Sequence, residues 1–207
     1  MRKVTIVDYG FGNIFSVTSA LKTLNYNVIL TNNPEEIIKS DIIILPGVGA
    51  FKQAINKLII MNIDQAISQF LSRGGLLIGI CLGYQLLFEE SEEFSITKGL
   101  GILKGRVINL NNFKNSTDKI PNIGWRSLIK PNGFSSLNYN TGSMVYFDHS
   151  FSPVSSDESI VSSYILFGKN KIHTSVDNGQ VVGFQFHPEK SGSTGLRILD
   201  SVIKKFN

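Results

Sequence analysis

The sequence predicts an α/β fold: a mostly parallel, helix-covered sheet carrying a small antiparallel β extension. Three observations predict it. Strand and helix signals alternate through the first third of the chain, as they do where parallel strands are joined by crossover helices. Two strand segments, Ile42-Ile43-Ile44-Leu45 and Leu76 to Ile80, are apolar without alternation, as strands covered on both faces are. From Ser91 to about Gly142 the helical periodicity fades, and short β-like runs stand between Asn, Ser and Gly clusters. No repeat or linker divides the chain, so a single domain is expected over 1–207.

Taken in order, Val4 to Val7 reads as the first strand, followed by the turn Asp8-Tyr9-Gly10-Phe11-Gly12-Asn13. Asn13 suits the N-cap of a helix with Ile14, Val17, Ala20, Leu21 and Leu24 on its apolar side. Asn27 to Leu30 forms a second strand, and Pro34-Glu35-Glu36 opens a short helix with proline and acids in its first turn. The strand ending at Leu45 runs into Pro46-Gly47-Val48-Gly49-Ala50-Phe51. Helical signal then extends from Phe51 to Ser72, with a break expected near Asn62, and stops at Gly74-Gly75. The strand from Leu76 leads straight into Cys81. Near the end, Val181 to Phe186 reads as a strand and Thr194 to Phe206 as the last helix.

Composition excludes several function classes. A chain of 207 residues that is 42% hydrophobic and 17% charged is globular and large enough to bury a core. No apolar run reaches the roughly 18–20 residues of a membrane helix. Asp8 interrupts the stretch after Met1-Arg2-Lys3 too early for a signal-peptide core, so a cytoplasmic location is expected. The single cysteine forbids an internal disulfide, argues against a structural zinc site, and leaves Cys81 as the one candidate thiol nucleophile. The net charge of +4 is dispersed, and Lys204-Lys205 is too short for a nucleic-acid patch, so neither nucleic acid nor membrane is an expected partner. Asn115-Ser116-Thr117 matches a glycosylation acceptor, which carries no meaning without a secretory route.

The chemistry concentrates in Gly79-Ile80-Cys81-Leu82-Gly83. A nucleophile here sits between a buried strand and a helix, with glycine two residues to either side, as in a nucleophile elbow. Leu82 and its successors bring backbone N–H groups and the positive end of a helix beside the sulfur. A thiol nucleophile needs a base, and the chain has three histidines. His187 ends the strand from Val181, where Val182, Phe184 and Phe186 share one face and Gly183, Gln185 and His187 the other. Glu189, two residues on, lies on the side of His187 and can accept its ring N–H, fixing the tautomer. His173 has no acid near it in sequence and is expected to be exposed or structural; His149 points away from its neighbour Asp148.

The Pro46–Phe51 loop supplies glycines that let backbone N–H groups approach a ligand, as an oxyanion hole requires. One donor would be the Leu82 N–H and the other that of Val48. All these segments lie at carboxyl ends of strands, where open parallel sheets bind ligands. The 8–13 turn fits the first two glycines of a dinucleotide fingerprint, but Phe15 replaces the third, and no Walker lysine follows.

Together, Gly-Ile-Cys-Leu-Gly-Tyr-Gln at 79–85, the Pro-Gly-Val-Gly loop and His-Pro-Glu at 187–189 resemble the class I, triad-type glutamine amidotransferases. Asp-Tyr-Gly-Phe-Gly-Asn at 8–13, Gly-Trp-Arg at 124–126, Tyr-Phe-Asp-His-Ser-Phe at 146–151 and His-Pro-Glu-Lys-Ser at 187–191 narrow the resemblance to glutaminase subunits of imidazole glycerol phosphate synthase. The resemblance implies a flavodoxin-like fold, no cofactor, glutamine as substrate, and a triad of Cys81, His187 and Glu189. It also implies that Gly49, Gln85, Ser150 and Phe151 hold the glutamine. Ammonia would pass to a (β/α)8-barrel synthase subunit in a heterodimer for histidine biosynthesis, with Asn13, Trp125 and Lys190 near the interface. Three residues depart from the pattern: Asp148 for an apolar residue, Phe151 for Tyr and Arg126 for Asn. Similar paralogues serve the amidation of surface sugars, so two destinations for the ammonia stay open.

Overall fold

A computed structural model describes residues 3–113, 118–131 and 137–206; the Asn115-Ser116-Thr117 triplet lies outside them. The parallel part of the main sheet runs β13-β4-β3-β1-β2, formed by Val181–Phe184, Leu76–Cys81, Ile42–Gly47, Lys3–Val7 and Asn27–Thr31. The strand order reverses between β1 and β3, so their carboxyl ends border the crevice where such sheets bind ligands.

Strand alternation divides the core into two layers. Ile42 and Ile44 of β3 join Leu76, Ile78 and Ile80 of β4 on one face, under Val17 and Leu21 of α1 (Ile14–Thr23) and Ile198, Leu199, Val202 and Ile203 of α6 (Gly192–Lys205). Ile43, Leu45 and Leu77 point to the other face, under α2 (Pro34–Ile38), α3 (Phe51–Ile60) and α4 (Ile63–Ser72). The unbroken apolar runs are thus two period-2 patterns superimposed, each satisfied by its own helical layer.

Local signals set the element ends. The Asn13 side chain accepts from the Ser16 N–H at 3.3 Å, capping α1. Asn62 takes a left-handed conformation, φ 55°, and ends the first half of the long helical run, as its sequence suggested. The last helix starts at Gly192, two residues before the expected Thr194.

The antiparallel part is more extensive than the sequence reading placed it. It continues past Gly142 and is distributed over three sheets. β11 (Val161–Phe167) and β12 (Asn170–Asp177) form a hairpin that adds two antiparallel strands beside β13, giving the main sheet seven strands. A four-stranded sheet follows the order β10-β7-β5-β6, built from Phe151–Ser155, Leu103–Asn109, Phe88–Ser91 and Thr97–Lys98; its β5–β7 pair is parallel. β8 (Asn122–Ser127) and β9 (Met144–His149) pair alone. Period-2 alternation identifies a strand's faces but not its neighbour, which is why the edge hairpin was not separable in sequence from the extension.

Candidate active site

β4 ends at Cys81, which carries φ 54° and ψ −112°, and α5 (Leu82–Gln85) begins at the next residue. A non-glycine residue in this region is strained and is held there by its surroundings. Flanking glycines permit the turn to pack. A Cβ on Gly79 would stand 2.8 Å from the Tyr84 Cα, and one on Gly83 would stand 1.9 Å from the Leu45 carbonyl oxygen. The elbow therefore nests directly against the end of β3, where Gly47 pairs in register with Cys81.

The neighbouring strand delivers the candidate base. β13 pairs with β4 in parallel, Phe184 opposite Ile80, so the residues that follow Phe184 run past the sulfur. The ladder stops at Phe184, two residues before the sequence reading ended it. From there the Gln185 N–H donates to the Thr174 carbonyl and the His187 N–H to the Tyr146 carbonyl. Pro188 keeps His187 extended, φ −97° and ψ 95°, and opens a single 3₁₀ turn through Lys190. Glu189 folds back in that turn, its Oε1 2.7 Å from His187 Nδ1. Both side chains are buried. Because a carboxylate only accepts, Nδ1 carries a proton and Nε2 faces the thiol.

Burial disfavours a charged imidazole and is the largest single influence on His187. The hydrogen bonds to Cys81 and Glu189, with the charge of both, outweigh it and push the His187 pKa up to about 10. His149 goes the other way. It is buried, donates from Nδ1 to the Phe151 carbonyl at 2.8 Å and accepts at Nε2 from the Asn122 amide at 2.8 Å. Burial, reinforced by His187 and Arg126 nearby, pulls its pKa down to about 4, so it is a neutral structural group. His173, expected to be exposed or structural, is buried, and it does meet an acid: Nε2 lies 3.1 Å from Glu158 and Nδ1 accepts from the Ser155 N–H. Glu158 is fifteen residues distant in sequence, so neighbour inspection could not find it.

Cys81 and His187 open onto a cavity of about 480 Å³, within the size range of small-molecule sites. Val48, Gly49, Leu82, Gln85, Ser150, Phe151 and Lys190 line it as well, which brings the expected substrate and oxyanion residues to one place. One detail differs from expectation: the Val48 N–H donates to the Phe11 carbonyl at 3.2 Å and is not free for an oxyanion. The 8–13 loop that produces this contact is a buttress. Tyr9 donates from its hydroxyl to the Pro46 carbonyl at 2.9 Å, and a Cβ on Gly12 would stand 2.9 Å from the Pro46 side chain.

Trp125 is half-exposed and meets the Tyr146 ring edge-on at 6.1 Å, while Lys190 Nζ lies 5.8 Å from the same ring. Lys190 thus connects this aromatic patch to the cavity rim; Asn13 is committed to its cap. Of the three departures, Arg126 donates to Asp118 at 3.1 Å and to Asn122 at 2.9 Å, Asp148 is exposed and lines the cavity, and Phe151 offers its backbone carbonyl, which any residue there would carry, to His149 and to Gln85. Sequence reasoning missed Glu93, whose carboxylate accepts from the Phe51 N–H at 2.6 Å and caps α3, where Ala50 has no side-chain acceptor. It also missed Gln185, for which a polar residue on the face of His187 was the available signal. Among the described residues no cluster of His, Cys, Asp and Glu could hold a metal, and no helix is long and apolar enough to cross a membrane.

Comparison with known proteins identifies the family. The family model for class-I glutamine amidotransferases matches residues 5–205. An "Imidazole glycerol phosphate synthase subunit HisH" from Lactococcus lactis is 38% identical over 206 residues, covering 99% of this chain and 100% of that protein. A protein of the same name from Prochlorococcus marinus is 40% identical over 201 residues, covering 96% of each. The solved "Structure of PurLQS from Thermotoga maritima" superposes with a TM-score of 0.75 at 20% identity, over 100% of this chain and 99% of that one, a likeness of fold. The chain belongs to the class-I glutamine amidotransferase family, with HisH subunits of imidazole glycerol phosphate synthase among its full-length relatives.

Proposed function

We propose that this chain is the glutaminase subunit of an imidazole glycerol phosphate synthase in histidine biosynthesis, with Cys81, His187 and Glu189 as its triad. The observation that carries the reading is the strained cysteine elbow beside a buried His187–Glu189 pair, opening onto a cavity that Gln85 lines. Cys81 Sγ attacks the side-chain amide carbon of glutamine. The protonated His187 gives its Nε2 proton to the leaving nitrogen, so ammonia departs and a thioester remains. Water then adds to the thioester with His187 taking its proton, and glutamate is released as the sulfur recovers its electron pair. Glu189 holds the tautomer and stabilises the imidazolium throughout.

Gly49, Gln85, Ser150 and Phe151 hold the substrate. The oxyanion that forms in each half-reaction needs donors, for which Leu82 and Val48 offer backbone N–H groups. The Val48 N–H donates to the Phe11 carbonyl, so that bond must break before it can serve as an oxyanion donor. The ammonia passes to a barrel-shaped synthase partner in a heterodimer, whose contact includes Asn13, Trp125 and Lys190. Replacing Cys81 by Ala tests the reading: ammonia release from glutamine falls to the uncatalysed level while the melting temperature and synthase binding persist. Ammonia release at the wild-type rate would refute it.

A further inference from the structure

Behind the nucleophile lies a chain of buried amides that the triad does not use. Gln185 is fully buried, two residues before His187 and beside Cys81, because β13 and β4 run in parallel with Phe184 opposite Ile80. The chain starts at a fixed acceptor, the Phe151 carbonyl. Gln85 Nε2 donates to it at 2.9 Å, and a carbonyl can only accept, so the orientation of the Gln85 amide is decided there. The same nitrogen donates to Gln185 Oε1 at 3.0 Å, which decides the Gln185 amide in turn. Gln185 must then present its Nε2 to Cys81, and it does so at 3.8 Å from Sγ. The direction of every bond follows from one backbone oxygen.

We propose that Gln185 is a positioning residue of glutamine hydrolysis, fixing the Gln85 amide with its oxygen toward the substrate and directing an N–H at the Cys81 sulfur. Both N–H groups of Gln85 are committed, one to Phe151 and one to Gln185. Only Gln85 Oε1 is left for a ligand in the cavity it lines, and an oxygen acceptor selects a ligand with an N–H donor, such as an amide or an ammonium. The sulfur thus has three polar neighbours: the Gln185 amide at 3.8 Å, the Asp148 carbonyl at 3.9 Å and the His187 ring. A chain of this kind polarises in one direction, and each bond strengthens the next. The inference rests on the glutaminase reading and gives a buried side chain a role within it.

Two variants separate the two halves of the role. Gln185→Leu removes both the acceptor for Gln85 and the donor to sulfur. Gln185→Glu keeps an acceptor for Gln85 but turns an oxygen toward Cys81. Steady-state hydrolysis of glutamine is measured on the full chain with its synthase, and alkylation of Cys81 by iodoacetamide is followed from pH 5 to pH 10. For Gln185→Leu, KM for glutamine rises about tenfold or more, the consequence of a buried amide left without its partner. For Gln185→Glu, KM stays within about threefold of wild type while kcat falls. Its alkylation rate at pH 7 drops about tenfold and recovers at pH 10. Circular dichroism and the melting temperature establish that each variant is folded. The proposal is overturned if both variants keep wild-type KM and alkylation profile. It is equally overturned if activity falls only in proportion to the folded fraction, with KM unmoved. Failure of the glutaminase reading itself would appear in the wild type as absent ammonia release, and the alkylation profile would still decide the sulfur contact.

Discussion

His187 carries a proton well into the alkaline range because two partners, Cys81 and Glu189, outweigh the burial that would remove it. A group whose pKa is raised on folding contributes stability below its unfolded value, and that contribution is lost as pH climbs through the folded value. For His187 the window lies between 6.5 and about 10. His149 has the opposite sign: buried neutral, with a pKa lowered to about 4, it costs stability as pH falls from 6.5 toward 4. Unfolding free energy measured against pH is therefore expected to rise from pH 4 to 6.5 and to decline toward pH 10. In Glu189→Gln the alkaline decline starts at lower pH, because His187 has lost an anionic partner. The same variant lowers kcat by roughly 10²- to 10⁴-fold, the usual contribution of a correctly oriented general acid–base. A Glu189→Gln variant with wild-type kcat would remove the carboxylate from the mechanism. The residues proposed as the triad could be picked out in the sequence because residue type and spacing suffice to nominate them: one thiol, and one histidine with an acid on the same side of an extended strand. Glu158 beside His173, Glu93 on the α3 terminus and Gln185 on the sulfur were not, because each reaches its partner across fifteen to about a hundred residues of chain.

At the scale of elements, the elbow depends on close approach more than on glycine's freedom to adopt positive φ. Gly83 keeps an ordinary φ, yet a Cβ there would meet the Leu45 carbonyl oxygen at 1.9 Å, and a backbone carbonyl in a central strand cannot move aside. Gly74 has φ +85° and open space around its missing Cβ. The two should fail differently. Gly83→Ala costs about 3 kcal/mol or more through overpacking, and Gly83→Asn costs more still. Gly74→Ala costs about 1–2 kcal/mol from backbone conformation, and Gly74→Asn recovers part of it, since Asn tolerates the left-handed region. Urea midpoints of the four variants decide this; equal losses for Ala and Asn at Gly74 would contradict it. The parallel strands, their helices and the Asn62 break were readable because apolar periodicity and caps are local. The β11–β12 hairpin on the edge of the main sheet was not, since alternation does not specify which edge a strand joins. The Val48 N–H was also out of reach: glycines show that a loop can approach a ligand, not which acceptor its N–H groups have chosen.

At the scale of the whole molecule, the strand ends gather the elbow, the 46–51 loop and the His187 turn on one rim of the sheet, with the Trp125–Tyr146–Lys190 patch beside them. The proposed synthase partner would seat on that rim. Trp125→Ala is expected to weaken binding to the synthase about tenfold or more in a calorimetric titration, as loss of a half-buried aromatic anchor does. A change under twofold would place the interface elsewhere. The candidate site was legible at this scale as well, because three motifs far apart in sequence all fell at carboxyl ends of parallel strands, while the proposed destination of the ammonia came from resemblance and from relatives. The central claim is that Cys81 is the nucleophile that meets glutamine, and covalent labelling with an electrophilic chloroketone analogue of glutamine, mapped by mass spectrometry, tests it most directly. One adduct per chain, on Cys81, slowed by added glutamine and slowed again in Glu189→Gln, is the result expected. A chain that still releases ammonia from glutamine but carries no adduct on Cys81, or carries one that glutamine does not slow, would contradict it.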